Sequence, residues 1–196
     1  MTTTATRPTM LQRFFPLAVL VAAMWLVEIA DQVALDGGLD RHGILPRTIS
    51  GIDGVLWAPV LHGGFGHLAS NTVPLLVLGA LVAMRGVRQW VMVTLFITVV
   101  GGLGTWVFAR DAVHLGASLL IFGYISYLLV AGFRERSFVG IAVGVLVAVL
   151  YGGTLVSGIL PTQSGVSWEG HLFGALAGAI AGLAATNRPA RDTSPG

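Results

Sequence analysis

Six stretches of the chain are almost continuously apolar, each about as long as a helix that crosses a hydrocarbon core of roughly 30 Å. They cover residues 14–35, 67–84, 90–108, 115–133, 138–160 and 168–186. The pattern predicts an all-α membrane protein built as a six-helix bundle. The first run follows Arg7 and Arg13 like a secretory signal, but it is too long for a signal core and shows no convincing cleavage site, so it reads as an uncleaved span. Connections are short apart from residues 36–66, which hold Pro46, Trp57, Pro59 and alternating apolar positions. A connection so long and half apolar is expected to lie in the membrane interface. The chain thus divides into a cytoplasmic segment 1–13, one membrane domain 14–186 and a disordered cytoplasmic tail 187–196.

Composition narrows the function classes. Of 196 residues, 55% are hydrophobic and 10% charged, far from the quarter expected of a soluble domain. The eleven basic residues are all Arg and are scattered, so no basic block exists to hold nucleic acid. With no Cys, disulfides, thiolate nucleophiles and Cys-ligated zinc are excluded. Arg7, Arg13, Arg85, Arg88, Arg134, Arg136, Arg188 and Arg191 flank one set of span ends, and only Arg41, Arg47 and Arg110 flank the other. Basic residues are retained in the cytoplasm, so both termini are predicted to be cytoplasmic.

On that topology all five His lie on the outer side: His42 and His62 in the first loop, His67 opening the second span, His114 ending the third loop, and His171 near the start of the sixth. Ser118 and Asn71 join the same layer, Asn71 one helical turn after His67. Ser and His together are what acyl transfer needs, a hydroxyl nucleophile and a base that takes and returns its proton near neutral pH. His and Asn can also donate to a developing oxyanion, as can unpaired N–H groups in the first turn of a helix. A metal site is the weaker reading of the same His, because His62 and His67 at i, i+5 diverge by about 140° on a continuous helix.

The segment His62-Gly63-Gly64-Phe65-Gly66-His67-Leu68-Ala69-Ser70-Asn71 resembles the His-x4-His-x3-Asn element of rhomboid intramembrane serine proteases. Gly116-Ala117-Ser118 resembles that family's Gly-x-Ser nucleophile motif, and His171-Leu172-Phe173-Gly174 continuing to Gly178 is similar to its His-x-x-Gly-x-x-x-Gly span. The resemblance implies a rhomboid-like bundle in which Ser118 is the nucleophile and His171 its base, with no acidic third member. It implies an oxyanion hole of His62, Asn71 and the Ser118 N–H, with His67 supporting the second span and Phe122 packing on the base. No cofactor or metal is expected. The implied partners are the lipid bilayer and transmembrane protein substrates, and the implied place is a bacterial plasma membrane, with the site open to the extracytoplasmic side.

Gly174, Gly178 and Gly182 form a small-residue stripe at i, i+4, i+8, and Gly116 and Gly123 are expected to offer smooth positions on the fourth span. Leu119 departs from the family, which usually has Gly after the nucleophile. That departure motivates an alternative, a rhomboid-like pseudoprotease that binds membrane segments without cleaving them. Glu28 and Asp31, near the outer end of the first span, admit a transporter's proton path, but capping of the first loop is the expected role. Glu169, two residues before His171, is expected at the interface and outside the catalytic set.

Overall fold

The computed structural model describes residues 9–162 and 165–185. Arg7, Arg188 and Arg191, and with them the terminal segments of the topology argument, lie outside the described residues. Each apolar run is a helix. α1 spans Met10–Ala34 and starts four residues ahead of its run, because Thr9 and Gln12 form a reciprocal capping box. A short α2, Gly54–Trp57, lies in the first loop, and α3 spans Phe65–Met84. α4, Val87–Phe96, continues through a π-helical turn, Ile97–Gly101, into α5, Gly102–Phe108, as one rod. α6 spans Ser118–Arg134, α7 Phe138–Gly158 and α8 Trp168–Ala184.

Among the described residues, four of these rods are long and apolar enough to cross a membrane: α1, α3, α4 with α5, and α7. α6 and α8 have 17 residues each, about 26 Å of helix, and fall short of the hydrocarbon thickness. The shortfall goes with their position. From Leu119 to Leu128 every residue of α6 is buried, so this helix meets protein on all sides. α8 lies directly against it. A Cβ on Gly174 would strike the Leu119 carbonyl, one on Gly178 the Gly123 carbonyl, and one on Gly182 would come within 2.9 Å of Val130 Cβ. The glycine stripe is therefore a backbone-to-backbone contact, as its spacing predicts.

Gly123 takes the predicted place in that contact and Gly116 does not. Gly116 precedes the helix at φ 111°, a left-handed conformation that side chains rarely adopt. The helix of the fourth apolar run consequently opens at Ser118 and not at residue 115, which puts Ser118 in the first turn itself.

The first loop is compact. Ile44 pairs with His114 through two backbone bonds of 2.8 and 2.9 Å, and Trp106 donates its indole N–H to Thr48 O at 2.9 Å. Ile44, Val55 and Ala58 form a small core under Trp106. Ile49, Ile52, Leu56 and Trp57 are left exposed on the far side, an apolar face of the kind expected at an interface. Asp31 accepts the Leu39 N–H at 2.8 Å, so it does cap the start of this loop. Glu28 is buried beside it, and its Oε1 has no hydrogen-bond partner among the described residues.

Candidate active site

Three contacts of the backbone, one of them to a side chain, fix the approach to Ser118. The Ile44–His114 pairing holds the third loop, the Gly116 N–H donates to Ala58 O at 2.8 Å, and the Ala117 N–H donates to His62 Nε2 at 3.3 Å. Ser118 then opens α6, where the first backbone N–H groups have no intrahelical acceptor. It lines a cavity of about 700 Å³ whose walls also carry His67, Asn71, Phe122, Gly158 and His171. The structure thus brings Ser118, His171, Asn71, His67 and Phe122 to one cavity.

His171 sits in the first turn of α8 and is largely buried. Its Nδ1 lies 2.9 Å from Gly158 O, the last residue of α7. A carbonyl only accepts, so Nδ1 carries the hydrogen and Nε2 is left with a free lone pair. The ring of Phe122 stacks on the imidazole, centroids 4.0 Å apart and planes within 7°, which fixes its rotation.

The structure places the two histidines of the His-x4-His element differently with respect to the cavity. The motif resemblance assigns His62 to the oxyanion hole and a supporting part to His67. His62 lies in the loop ahead of α3 and is fully buried outside the cavity, and its Nε2 is already occupied in accepting the Ala117 N–H. Burial, with His67 nearby, lowers its pKa from 6.5 to about 4, so it is a neutral acceptor at ordinary pH. His67, inside α3, lines the cavity. Its Nδ1 accepts the Gly63 N–H at 3.4 Å, leaving the ring hydrogen on Nε2. A Cβ on Gly116 would lie 2.8 Å from that Nε2, so the Gly of Gly-x-Ser clears room for the imidazole beside Ser118. Asn71 back-bonds to His67 O at 2.9 Å through one amide hydrogen and keeps the other.

Leu119 does not line the large cavity. It borders a smaller hollow of about 10 Å³, beside Ile44, Ala58 and Thr105, that adjoins the cavity at Ser118. The residue that departs from the family pattern is therefore not among those that line the large cavity.

A polar clasp that sequence reasoning missed joins the third loop to the head of α8. Arg110 forks to Glu169 Oε2 and Val166 O, each at 2.7 Å, and its backbone N–H meets Glu169 Oε1 at 3.3 Å. Glu169 is thereby buried in protein, against the expectation that it sits at the interface, because the guanidinium and an amide satisfy its carboxylate. Next to it His114 donates from Nε2 to Arg110 O at 3.1 Å and accepts at Nδ1 from the Ser167 hydroxyl at 2.6 Å. Ser167 in turn caps α8 by accepting the Gly170 N–H. Burial lowers the His114 pKa, in keeping with a neutral ring that donates at one nitrogen and accepts at the other. Arg110 and Glu169 are 59 residues apart, and no local pattern links them.

A profile of the Rhomboid domain matches residues 52–188. An uncharacterized protein of Mycobacterium tuberculosis, Rv1337, is 41% identical over 200 residues, covering 97% of this chain and 83% of that protein. An uncharacterized protein of Mycobacterium leprae, ML1171, is 39% identical over 182 residues, covering 87% of this chain and 71% of that protein. The match spans the loop carrying His62, the helices carrying His67, Asn71 and Ser118, and the helix carrying His171, and on it the chain belongs to the rhomboid family.

Proposed function

We propose that this protein is an intramembrane serine endopeptidase that cleaves transmembrane segments of other proteins with a Ser118–His171 dyad. The observation that carries the reading is the cavity of about 700 Å³ that Ser118, His67, Asn71 and His171 line together, with His171 held at Nδ1 by Gly158 O. Ser118 Oγ attacks the scissile carbonyl as His171 Nε2 takes its proton. The oxyanion is met by the Ser118 N–H, His67 Nε2–H and the second Asn71 amide hydrogen. His171 returns the proton to the leaving amine, and water releases the acyl-enzyme by the reverse sequence.

The six helices are read as six spans, with both termini cytoplasmic by the distribution of Arg and the cavity open to the extracytoplasmic side of a bacterial plasma membrane. α3 and α7 both line the cavity, and on this reading a substrate helix enters between them and unwinds there, since a helical amide is already hydrogen-bonded and covered. That Leu119 does not line the large cavity favours cleavage over binding alone.

The test is labelling of the full chain in detergent with a fluorophosphonate, beside cleavage of a reconstituted single-span substrate. Ser118→Ala and His171→Ala are expected to abolish both. His67→Ala and Asn71→Ala should lower cleavage by roughly 10²- to 10³-fold, the usual effect of losing one oxyanion donor. Wild-type protein that neither labels nor cleaves, yet captures the substrate, would hand the function to the binding-only reading. Because the chain has no Cys, single cysteines at Asp111 and Arg136 report by their accessibility which loops face outward.

A further inference from the structure

His171 has an acceptor behind it but no acid, and that acceptor belongs to another helix. The Gly158 carbonyl ends α7 and is one of the last four that a helix leaves without an internal partner. It points at His171 Nδ1 from 2.9 Å. The ionisable groups that face the imidazole are His67 from α3 and Glu169 on its own helix, and Glu169 is held by Arg110. α7 has 21 residues, long enough for its aligned peptide dipoles to give its C-terminus a partial negative charge, which favours a cation placed there. Gly is required at this position, since a Cβ would collide with the Phe122 ring and lie 3.2 Å from His171 Nδ1.

Resting on the proteolytic reading above, we propose that the C-terminal end of α7 does the work of the missing third member. The Gly158 carbonyl holds the hydrogen on His171 Nδ1, keeps Nε2 as the base toward Ser118, and, with the negative pole of α7, stabilises the imidazolium formed when Ser118 gives up its proton. Gly158 is on this account a positioning residue, acting through His171 and touching no substrate. It makes the competence of the base depend on α7, the helix that also forms one wall of the substrate entry.

Side-chain substitution at Gly158 disturbs Phe122, so the test alters the acceptor itself in the full chain. The first measurement is nitrogen NMR of histidine-labelled protein in detergent, with His171 assigned by its loss in His171→Ala. A neutral His171 protonated at Nδ1 is expected, and one protonated at Nε2 overturns the proposal. The second replaces the Gly158–Ile159 amide with an ester by incorporating the α-hydroxy analogue of isoleucine at position 159, which weakens the carbonyl as an acceptor. Cleavage should fall about threefold to tenfold, the range for weakening one hydrogen bond. The acidic limb of kcat/KM should also move to lower pH, because the imidazolium has lost stabilisation. A fall in rate with an unmoved limb is the mark of a merely structural change and overturns the proposal, as does no change at all. These results separate from failure of the parent reading: a Ser118 that labels and cleaves beside an Nε2-protonated His171 sinks only this inference. An Nδ1-protonated His171 beside an inert Ser118 sinks the protease reading and this role with it.

Discussion

α8 and α7 both hold the His171 imidazole, one by a covalent bond and the other by a hydrogen bond, yet they pack on α6 differently along their lengths. α8 meets α6 through Gly174, Gly178 and Gly182, where backbones touch and no side chain can be inserted. α7 turns Phe138, Val139, Val149 and Val156 outward, buries only Gly140, Gly144 and Val147, and carries glycines at positions 152 and 153, where an added methyl would meet nothing within 4 Å. The difference teaches where precision resides. Ser118 and His171 are set on the pair α6 and α8, welded by glycines along its length, whereas α7 meets the α6 backbone at Gly132 and Gly140, away from the cavity, and its half nearer the cavity is loosely covered.

The strongest way to break this comparison is to spoil the weld. Gly178→Val places a branched side chain against the Gly123 carbonyl, where neither backbone can yield. The expected cost is at least about 3 kcal/mol, at the upper end for overpacking, and folded protein should be lost from detergent extracts as judged by size-exclusion profile and thermal midpoint. A Gly178→Val protein that melts like wild type would mean that the two helices do not meet as described.

The head of α6 gives the next largest effect, and it depends on pH. His62 accepts the Ala117 N–H as a neutral ring, with a pKa near 4 in the fold against 6.5 when free. Its folded pKa is depressed, so below 6.5 the unfolded chain binds a proton that the folded chain refuses, and stability falls as the pH drops from 6.5 toward 4. The full difference is about 3 kcal/mol on the usual conversion. Thermal midpoints of wild type and His62→Gln, compared between about pH 7 and about pH 4.5, isolate this contribution, since Gln can still accept the N–H and does not titrate. The wild type should lose markedly more stability than the variant over that interval, and parallel curves would remove His62 from the account.

The third effect belongs to the head of α8. Arg110→Ala leaves the Glu169 carboxylate buried with only the backbone N–H of residue 110 to meet it. Arg110 is itself 43% exposed, so the cost is expected at the lower part of the range for an unsatisfied buried group, about 1 to 2 kcal/mol. Turnover should drop with it, because His171 lies two residues beyond Glu169. The double variant Arg110→Ala with Glu169→Gln should recover part of the stability, and failure to do so would show that the guanidinium acts through its Val166 bond alone.

These contrasts also mark what could be read in the sequence. Helix positions and the α6–α8 weld were legible, because apolar runs and i, i+4 glycines encode burial and close approach directly. Which imidazole faces the cavity was not, because the His-x4-His spacing is silent on where α3 begins. The helix starts at Phe65, after Gly64 at φ 100°, so His62 falls in the loop and His67 on the helix. Gly116 was misplaced for a related reason: a left-handed φ leaves no periodic trace, and the residue serves a turn and the His67 ring instead of a helix face. The Gly158 acceptor had no signal to give, being a backbone oxygen that any residue would possess. The clasp of Arg110 and Glu169 joins elements distant in sequence, and only the fold brings them together.

The smallest expected effect sharpens the contrast from the α7 side. Gly153→Ala adds a methyl on an exposed helical position with no neighbour within 4 Å, so no clash opposes it and the lower backbone entropy of Ala in the unfolded chain favours the fold. A gain of about 0.5 kcal/mol or less is expected in thermal midpoint, with cleavage unchanged. The same Gly→Ala change at Gly178 should be severely damaging, so the pair measures the two helices with one chemical step. If Gly153→Ala lowers activity while leaving stability intact, α7 presents this face to the substrate and its wall extends a full turn beyond Gly158 toward the bilayer centre. If it destabilises, a neighbour covers Gly153, and α7 is not the loosely held partner in the comparison.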